Sequence, residues 1–267
     1  MDLNSAVMGG PVTFADLSLQ KFFNDKFTGY VDSLHYTFAK ITGYLSGSQP
    51  FTLSWIDDPP TGTCIVFNNL NGGGNLPNGT QFASVDAGTS LTVQGPNGSQ
   101  TVQVDSTNAR PLLSADGSFL VPGTFTVSST GGAGIGPFSA SIVYPPLPKL
   151  VSPANNATVN RANGMTITWT GGDPNGNLLL EVNSAIDQAA TFAVQAGCIV
   201  PAAAGTFTIP SYVMLALPAG PYAGFTIAPF TSAIPFTAQG LTVGILSTQF
   251  DGAGYGLGAG NGGLTLQ

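Results

Sequence analysis

The sequence predicts an all-β fold made of two antiparallel β-sandwich units with minimal helix. Short runs of alternating apolar and polar residues recur at spacings of roughly 8–12 residues, and turn residues separate them, which is typical of sandwiches and barrels. Only 7% of the 267 residues are charged, and the 36 Gly and 20 Pro favour turns over helices. Because 43% of the residues are hydrophobic, we expect a normal buried core.

The first half of the chain contains a series of strand patterns. Residues 30–41 alternate, with the aromatic side chains on one face. The dipeptide Asn97-Gly98 predicts a hairpin between strands at 90–93 and 100–104. Residues 14–23 are expected to form one or two helical turns. The other strands predicted here are 51–55, 64–67, 119–121, 124–128 and 138–143.

A proline-rich segment at 144–148 separates the two halves. Three prolines in four residues do not fit a central strand, so this segment predicts a linker or an edge crossover. The expected domains are therefore an N-terminal sandwich, 1–148, and a C-terminal sandwich, 149–267. Residues 212–217 predict a short helix with Ser211 as its N-cap. The strands predicted in the second half are 157–159, 165–169, 178–182, 191–194, 205–209, 224–227 and 241–246.

The charge of the chain excludes several classes of partner. Six Lys and Arg residues and a net charge of −7 do not form the basic stripe that nucleic acid requires. No apolar run is long enough to cross a membrane as a helix. The first residues lack the pattern of a signal peptide. We expect a secreted or cell-surface protein whose signal peptide has been removed.

The two cysteines, Cys64 and Cys198, each lie in an apolar run of strand character. They are either buried free thiols or partners in a disulfide, and the exported character of the chain makes the second as probable as the first. Without further Cys or His pairs they do not predict a zinc site, and no cofactor is expected.

The sequence is poor in residues that carry catalysis. His35 is the single histidine and is predicted to lie on a strand face opposite the aromatic side chains. Glu181 is the single glutamate, and the adjacent pair Asp57-Asp58 precedes two prolines, as in a turn. Catalysis needs a nucleophile or proton carrier with an activating neighbour, so we expect a protein that is not an enzyme.

Several segments resemble a group of exported proteins of unknown function from soil acidobacteria. The resemblance spans residues 86–218, roughly half the chain, and implies export and an immunoglobulin-like or related antiparallel sandwich. It implies no catalytic residues, because the shared motifs are turns and strands. The matching segments are 86–98 (DAGTSLTVQGPNG), 121–127 (VPGTFTV), 134–140 (GIGPFSA), 165–172 (MTITWTGG) and 205–218 (GTFTIPSYVMLALP).

These observations favour a structural or adhesive module that could form part of a surface assembly. Carbohydrate binding is the alternative, because sandwiches bind sugars through exposed aromatic residues, and Tyr30, Tyr36 and Trp55 are the candidates. Trp169 is expected in the core instead. A glycoside hydrolase is the least favoured possibility.

The C-terminal tail suggests how such an assembly could form. Glycine occupies every even position from 252 to 262, which leaves one face of an extended strand without side chains. We therefore predict an assembly strand that pairs with a second copy of the chain and presents Tyr255, Leu257 and Asn261. A flexible end and a strand in the chain's own sheet are the alternatives.

Overall fold

The structure, a computed structural model, describes residues 11–24, 29–42, 59–68, 81–105, 110–250, 253–255 and 263–267. Of these described residues, 60% are in strands and 5% in helices, which confirms the predicted all-β sandwich fold. The strands are β1 (Val12–Asn24), β2 (Gly29–Thr42), β3 (Thr63–Asn68), β4 (Gln81–Ser84), β5 (Ser90–Gly95), β6 (Gly98–Gln103), β7 (Leu112–Ser114), β8 (Gly123–Ser129), β9 (Phe138–Tyr144), β10 (Pro148–Ser152), β11 (Thr158–Val159), β12 (Met165–Gly171), β13 (Asn177–Ala185), β14 (Ala193–Pro201), β15 (Thr206–Ile209), β16 (Gly220–Phe230), β17 (Ile234–Phe236), β18 (Val243–Phe250), β19 (Ala253–Tyr255) and β20 (Leu264–Leu266). The helices are the short α1 (Ser211–Leu215) and 3-10 turns at Arg161–Asn163 and Ala202–Ala204.

The chain divides into two units that are not contiguous in sequence. Unit 1 contains 1–56, 75–144 and 232–250, and unit 2 contains 57–74, 145–231 and 251–267. The proline-rich segment does mark one division, after Tyr144. The predicted domains 1–148 and 149–267 need correction, however, because each half contributes a strand segment to the other unit. Pairing between strands distant in sequence decides this exchange.

Unit 1 packs a large sheet against a small one. The large sheet has the order β17-β18-β1-β2-β4, with β7 also paired to β2, and the small sheet has the order β6-β5-β8-β9. Side chains of both sheets form one buried cluster, which includes Leu17, Leu34, Val93 and Phe125. Strand β18 pairs with β1 in parallel, so the late segment 232–250 is built into the sheet of the first strands.

Strand β1 corrects the helical prediction for residues 14–23. It pairs along its length with β2 on one side and with β18 on the other. Ala15, Leu17 and Leu19 belong to the core shared with the small sheet, so the core-facing side chains recur every two residues. The strand pairing outweighs the weak local preference for a helix.

Unit 2 repeats the arrangement with different sheets. Its large sheet has the order β11-β20-β16-β13-β14-β3, with β19 also paired to β16, and its small sheet has the order β10-β12-β15. The core between them contains Ile167, Leu180 and Phe225. Trp169 is buried as predicted, and its Nε1 donates a hydrogen bond to the carbonyl oxygen of Ala202 at 2.8 Å.

Two local predictions agree with the structure in type but not in detail. Strands β5 and β6 form the predicted hairpin, closed by the pair Gly95 and Gly98, so the two loop residues are Pro96 and Asn97. Helix α1 forms as predicted, but Ser211 is its first residue rather than its N-cap.

The C-terminal strands that the structure describes pair within the chain's own sheet, and pairing with a second copy stays a prediction. Strand β19, which contains Tyr255, pairs with β16 of the same chain, and β20 pairs with β16 and β11. This is the alternative in which the tail belongs to the chain's own sheet. Leu257 and Asn261 lie outside the described residues.

Candidate functional site

The most unusual chemical group in the molecule is a buried pair of opposite charges in unit 1. Lys21 on β1 and Asp32 on β2 are directly opposite each other in the antiparallel register. Lys21 is 7% exposed and Asp32 is fully buried, and Nζ lies 2.7 Å from Oδ1. Charged side chains are rarely buried to this degree, because removal from water is costly unless partners compensate.

Both side chains point to the core because of strand parity. Lys21 follows Ala15, Leu17 and Leu19 at intervals of two residues. Asp32 precedes Leu34 and Tyr36 on β2 in the same way. A period of two therefore puts an amine and a carboxylate on the face that is otherwise apolar.

A loop after β7 completes the surroundings of Asp32. The backbone N–H groups of Phe119 and Leu120 each donate to Asp32 Oδ2 at 2.8 Å. Lys21 Nζ also donates to the carbonyl oxygen of Gly117 at 2.5 Å. Two parallel donors on one carboxyl oxygen withdraw electron density from the carboxyl carbon, as the donors of an oxyanion hole do.

Asp116 fixes the shape of this loop. Its Oδ1 accepts hydrogen bonds from the hydroxyl of Ser114 and from the hydroxyl and backbone N–H of Ser118. The hydrogen bonds, those from Ser114 first, lower the pKa of Asp116 to about 2. Asp116 is therefore ionised at neutral pH and accepts the hydrogen bonds that link Ser114 to Ser118 in the loop that carries the Asp32 donors.

Aromatic rings surround the pair on the core side. Phe250 is the partner of Lys21 in the neighbouring strand β18, and the Tyr144 ring lies 4.9 Å from that of Phe250. Tyr144 is 1% exposed, and its hydroxyl has no hydrogen-bond partner among the described residues. Burial raises the pKa of Tyr144, and the charge of Asp32 raises it further. The centre therefore combines an amine, a carboxyl group and a buried phenol in apolar surroundings.

The two cysteines form the corresponding special pair of unit 2. Cys64 on β3 and Cys198 on β14 are joined by a disulfide and are direct partners in the antiparallel register. Strand β3 lies at the edge of the seven-stranded sheet and comes from the first half of the chain. The disulfide thus ties this exchanged edge strand covalently to the sheet of unit 2.

The outer face of the small sheet in unit 1 carries uncharged polar side chains across four strands. We call it the hydroxyl face: Ser90, Thr92, Gln94, Ser99, Thr101, Gln103, Thr124, Thr126, Ser128, Ser139 and Ser141. The register aligns these residues in rows that cross the sheet, and the hydroxyl oxygens of Thr126 and Ser141 lie 2.8 Å apart. The face can donate and accept hydrogen bonds without a net charge.

The structure separates the aromatic residues that the sequence grouped as ligand candidates. Tyr36 is buried at 3% exposure, and its hydroxyl donates to the carbonyl oxygen of Asp105 at 3.0 Å, so it does not face a ligand. Tyr30 is 38% exposed, and Trp55 lies outside the described residues. Tyr212 is also exposed, at 72%. The sequence analysis did not single it out, because it placed this residue in the short helix predicted at 212–217.

His35 and Glu181 occupy unrelated sheets. His35 lies on the face of β2 opposite the core, as predicted, and burial lowers its pKa, although the charge of Asp16 raises it in part. Burial raises the pKa of Glu181, whose carboxylate accepts hydrogen bonds from Gln195 and Thr226. Asp57 and Asp58 lie outside the described residues. Among the residues that the structure describes, no group of three or more His, Cys, Asp or Glu is placed to hold a metal ion.

Sequence reasoning missed Lys21 and Asp32. The signal was present, because both residues lie at intervals of two from the apolar residues that form the core face of their strands. It was hidden by the helical interpretation of 14–23, because residues two apart do not share a face in a helix.

Comparison with known proteins gives no relative from which a role could be transferred: no family model matches the chain, and no curated protein matches it significantly. The described helices include none that is both long and apolar enough to span a membrane.

Proposed function

We propose that the chain is an exported, non-catalytic structural or adhesive module, secreted or held at the cell surface. The observation that carries this proposal is the Cys64–Cys198 disulfide. Disulfides persist in oxidising compartments and are rare in the reducing cytosol. The low content of charged residues and the resemblance to exported acidobacterial proteins support the same location.

The use of the ionisable side chains supports a non-catalytic role. Asp86 accepts hydrogen bonds from the backbone N–H groups of Gly88 and Ala133. Asp187 similarly accepts from the backbone and the hydroxyl of Thr191. These carboxylates hold loops between strands, which is a structural use of charge.

The location is tested by fractionating the native host and labelling free thiols in the unfolded protein. We expect the chain outside the cytoplasm, with no thiol available to the label before reduction. A cytoplasmic protein with two labelled thiols would contradict export. Sedimentation velocity over a range of concentrations tests self-association, and a monomer at all concentrations would argue against assembly with itself.

Carbohydrate binding is a second candidate, and the hydroxyl face favours it. Exposed Thr, Ser and Gln side chains can exchange hydrogen bonds with sugar hydroxyls, and the rows of residues on neighbouring strands suit an extended polysaccharide. A glycan array and pull-down with insoluble polysaccharides test this, using Thr101→Lys with Ser141→Lys on the hydroxyl face. Thr166→Lys on the small sheet of unit 2, where Thr166 also pairs with a threonine, is the matched control. Equal binding by both variants would exclude the hydroxyl face.

A further inference from the structure

We propose that Lys21 and Asp32 are joined by an amide bond that the protein forms by itself, between Nζ of Lys21 and Cγ of Asp32. The inference goes beyond the proposed structural role, because it assigns a covalent self-modification to the core of unit 1. It stands on the geometry of the buried pair and its donors.

The position of the amine is the first argument. Nζ lies 2.7 Å from Asp32 Oδ1, yet Oδ1 has no hydrogen-bond partner of acceptable geometry among the described residues. Since 2.7 Å is within hydrogen-bonding distance, the direction of the contact, and not its length, departs from that of a hydrogen bond. An ordinary ion pair would align the N–H with an oxygen lone pair. A nucleophile that attacks the carboxyl carbon lies off that line.

The second argument is that the other carboxyl oxygen is already bound as an oxyanion would be. The N–H groups of Phe119 and Leu120 both donate to Oδ2. When the amine adds to Cγ, negative charge develops on Oδ2, and these two donors are in place to stabilise it. Gly117 O accepts from Nζ and orients the amine.

The reaction balances without an oxidant or an external group. A proton moves from the ammonium to Oδ1 of the carboxylate, which gives a neutral amine and a carboxylic acid. The lone pair of Nζ then forms the bond to Cγ. The bond from Cγ to Oδ1 breaks, and Oδ1 leaves as water with the acid proton and one amine proton. The product is a neutral amide whose oxygen, Oδ2, keeps its two donors.

The buried phenol of Tyr144 can assist the proton transfers. It lies close enough to Asp32 for the charge of that residue to affect it, and its hydroxyl has no hydrogen-bond partner among the described residues. Burial of the pair also keeps bulk water away, and the cross-strand register holds the reacting groups together. Preorganised groups of this kind reach effective concentrations of about 10⁵–10⁸ M, which offsets the unfavourable condensation.

Mass spectrometry of the intact, reduced and denatured protein tests the proposal. We expect a mass lower than that of the sequence by one water molecule. Digestion with trypsin localises the loss, because Lys26 lies between the two residues in the sequence. We expect peptides 1–26 and 27–40 to remain joined, with no cleavage after Lys21. The full mass, with cleavage after Lys21, would overturn the proposal and leave an ion pair.

Two variants make the assignment specific. Lys21→Arg keeps a positive charge beside Asp32 but removes the amine, so it should show the full mass and separate peptides. Lys149→Arg, at an exposed position of β10, should retain the loss of water. A loss of water that persists in Lys21→Arg, or that maps to a cyclic imide at Asp116-Gly117, would also overturn the proposal. The masses can be measured on denatured protein, so the test does not depend on how well Lys21→Arg folds.

Discussion

Each unit has one notable cross-strand pair in its large sheet, and the two pairs differ in chemistry: one is ionic and the other is a disulfide. In unit 1 the directly opposed residues are Lys21 and Asp32, and in unit 2 they are Cys64 and Cys198. Both pairs contain a fully buried member, Asp32 and Cys198. The ionic pair depends on burial and on backbone donors, whereas the disulfide depends on the redox state. One β-sandwich plan therefore accommodates either kind of cross-strand connection.

The pairs also differ in the length of chain that they close. The disulfide joins residues separated by 134 positions, whereas positions 21 and 32 lie only 11 apart (32 − 21). A long loop loses more conformational freedom when it is closed, so the disulfide acts strongly on the unfolded chain. As an ion pair, the pair in unit 1 acts mainly on the folded state, by compensating buried charge, and the proposed amide would close only a short loop of the unfolded chain. The following experiments test this contrast.

The largest effect is expected from Asp32→Ala. The change leaves the buried Lys21 charge and the N–H groups of Phe119 and Leu120 without their partner. We expect a loss of about 3–5 kcal/mol in the free energy of unfolding of unit 1. Chemical denaturation measures the loss, and hydrogen exchange of β1 and β2 localises it. Gln100→Ala, at an exposed side chain of β6, is the control and should change little. A loss below about 1 kcal/mol would contradict the compensation argument.

Removal of the disulfide should have the next largest effect and should spare unit 1. For the double variant Cys64→Ala with Cys198→Ala we expect a loss of about 2–4 kcal/mol in unit 2. Hydrogen exchange should increase first in β3, because an edge strand has one neighbour to hold it. Dithiothreitol should destabilise the natural protein but not the double variant. Equal losses of protection in both units would show that the disulfide is not local to unit 2.

Two buried serines, one in each unit, allow a matched comparison in which a smaller change in the free energy of unfolding is expected. Ser33 in unit 1 and Ser184 in unit 2 are both fully buried. The Ser184 hydroxyl donates to the carbonyl oxygen of Pro218 at 2.8 Å, whereas the Ser33 hydroxyl has no partner among the described residues. We expect Ser184→Ala to cost about 1 kcal/mol and Ser33→Ala to be neutral or stabilising. Thermal unfolding measures both, and the reverse order would refute the assigned hydrogen bonding.

The smallest expected effect is an opposite response of the two units to mild acid. The pKa of His35 is lowered from 6.5, so the unfolded chain binds a proton that the folded chain does not, and unit 1 loses stability as the pH falls below about 6.5. The pKa of Glu181 is raised from 4.5, so the folded chain binds its proton first, and unit 2 gains stability as the pH falls toward 4.5.

Hydrogen-exchange protection factors for β2 and β13, measured between about pH 7 and pH 4.5, test this difference. Asp16 and Arg110 are the charged groups that act on His35, and Asp16 partly opposes the effect because its own pKa is raised. His35→Gln should remove the response of unit 1, and Glu181→Gln that of unit 2. Parallel responses that survive both substitutions would assign the pH dependence to other groups.

How well the sequence predicted each element depends on how local its signal is. The hairpin at Pro96-Asn97, the helix after Pro210 and the burial of Trp169 rest on turn chemistry or on short alternating patterns, and all three occur in the structure. Strand β1 was assigned wrongly, because FADLSLQKFF satisfies a helical pattern as well as a strand pattern. Its pairing with β2 and β18 on both sides decided between them.

The sequence by itself determined the fold class, since period-two patterns and turn residues act over a few positions. The core-facing positions of Lys21 and Asp32 were not predicted, and they follow from the period of two only once β1 is recognised as a strand. Only the tertiary structure decided that β3 and β18 exchange units, that Cys64 meets Cys198, and that a distant loop delivers two N–H groups to Asp32. The physical reason is that sheet pairing and core packing join residues far apart in the chain, and no local pattern specifies which strands meet.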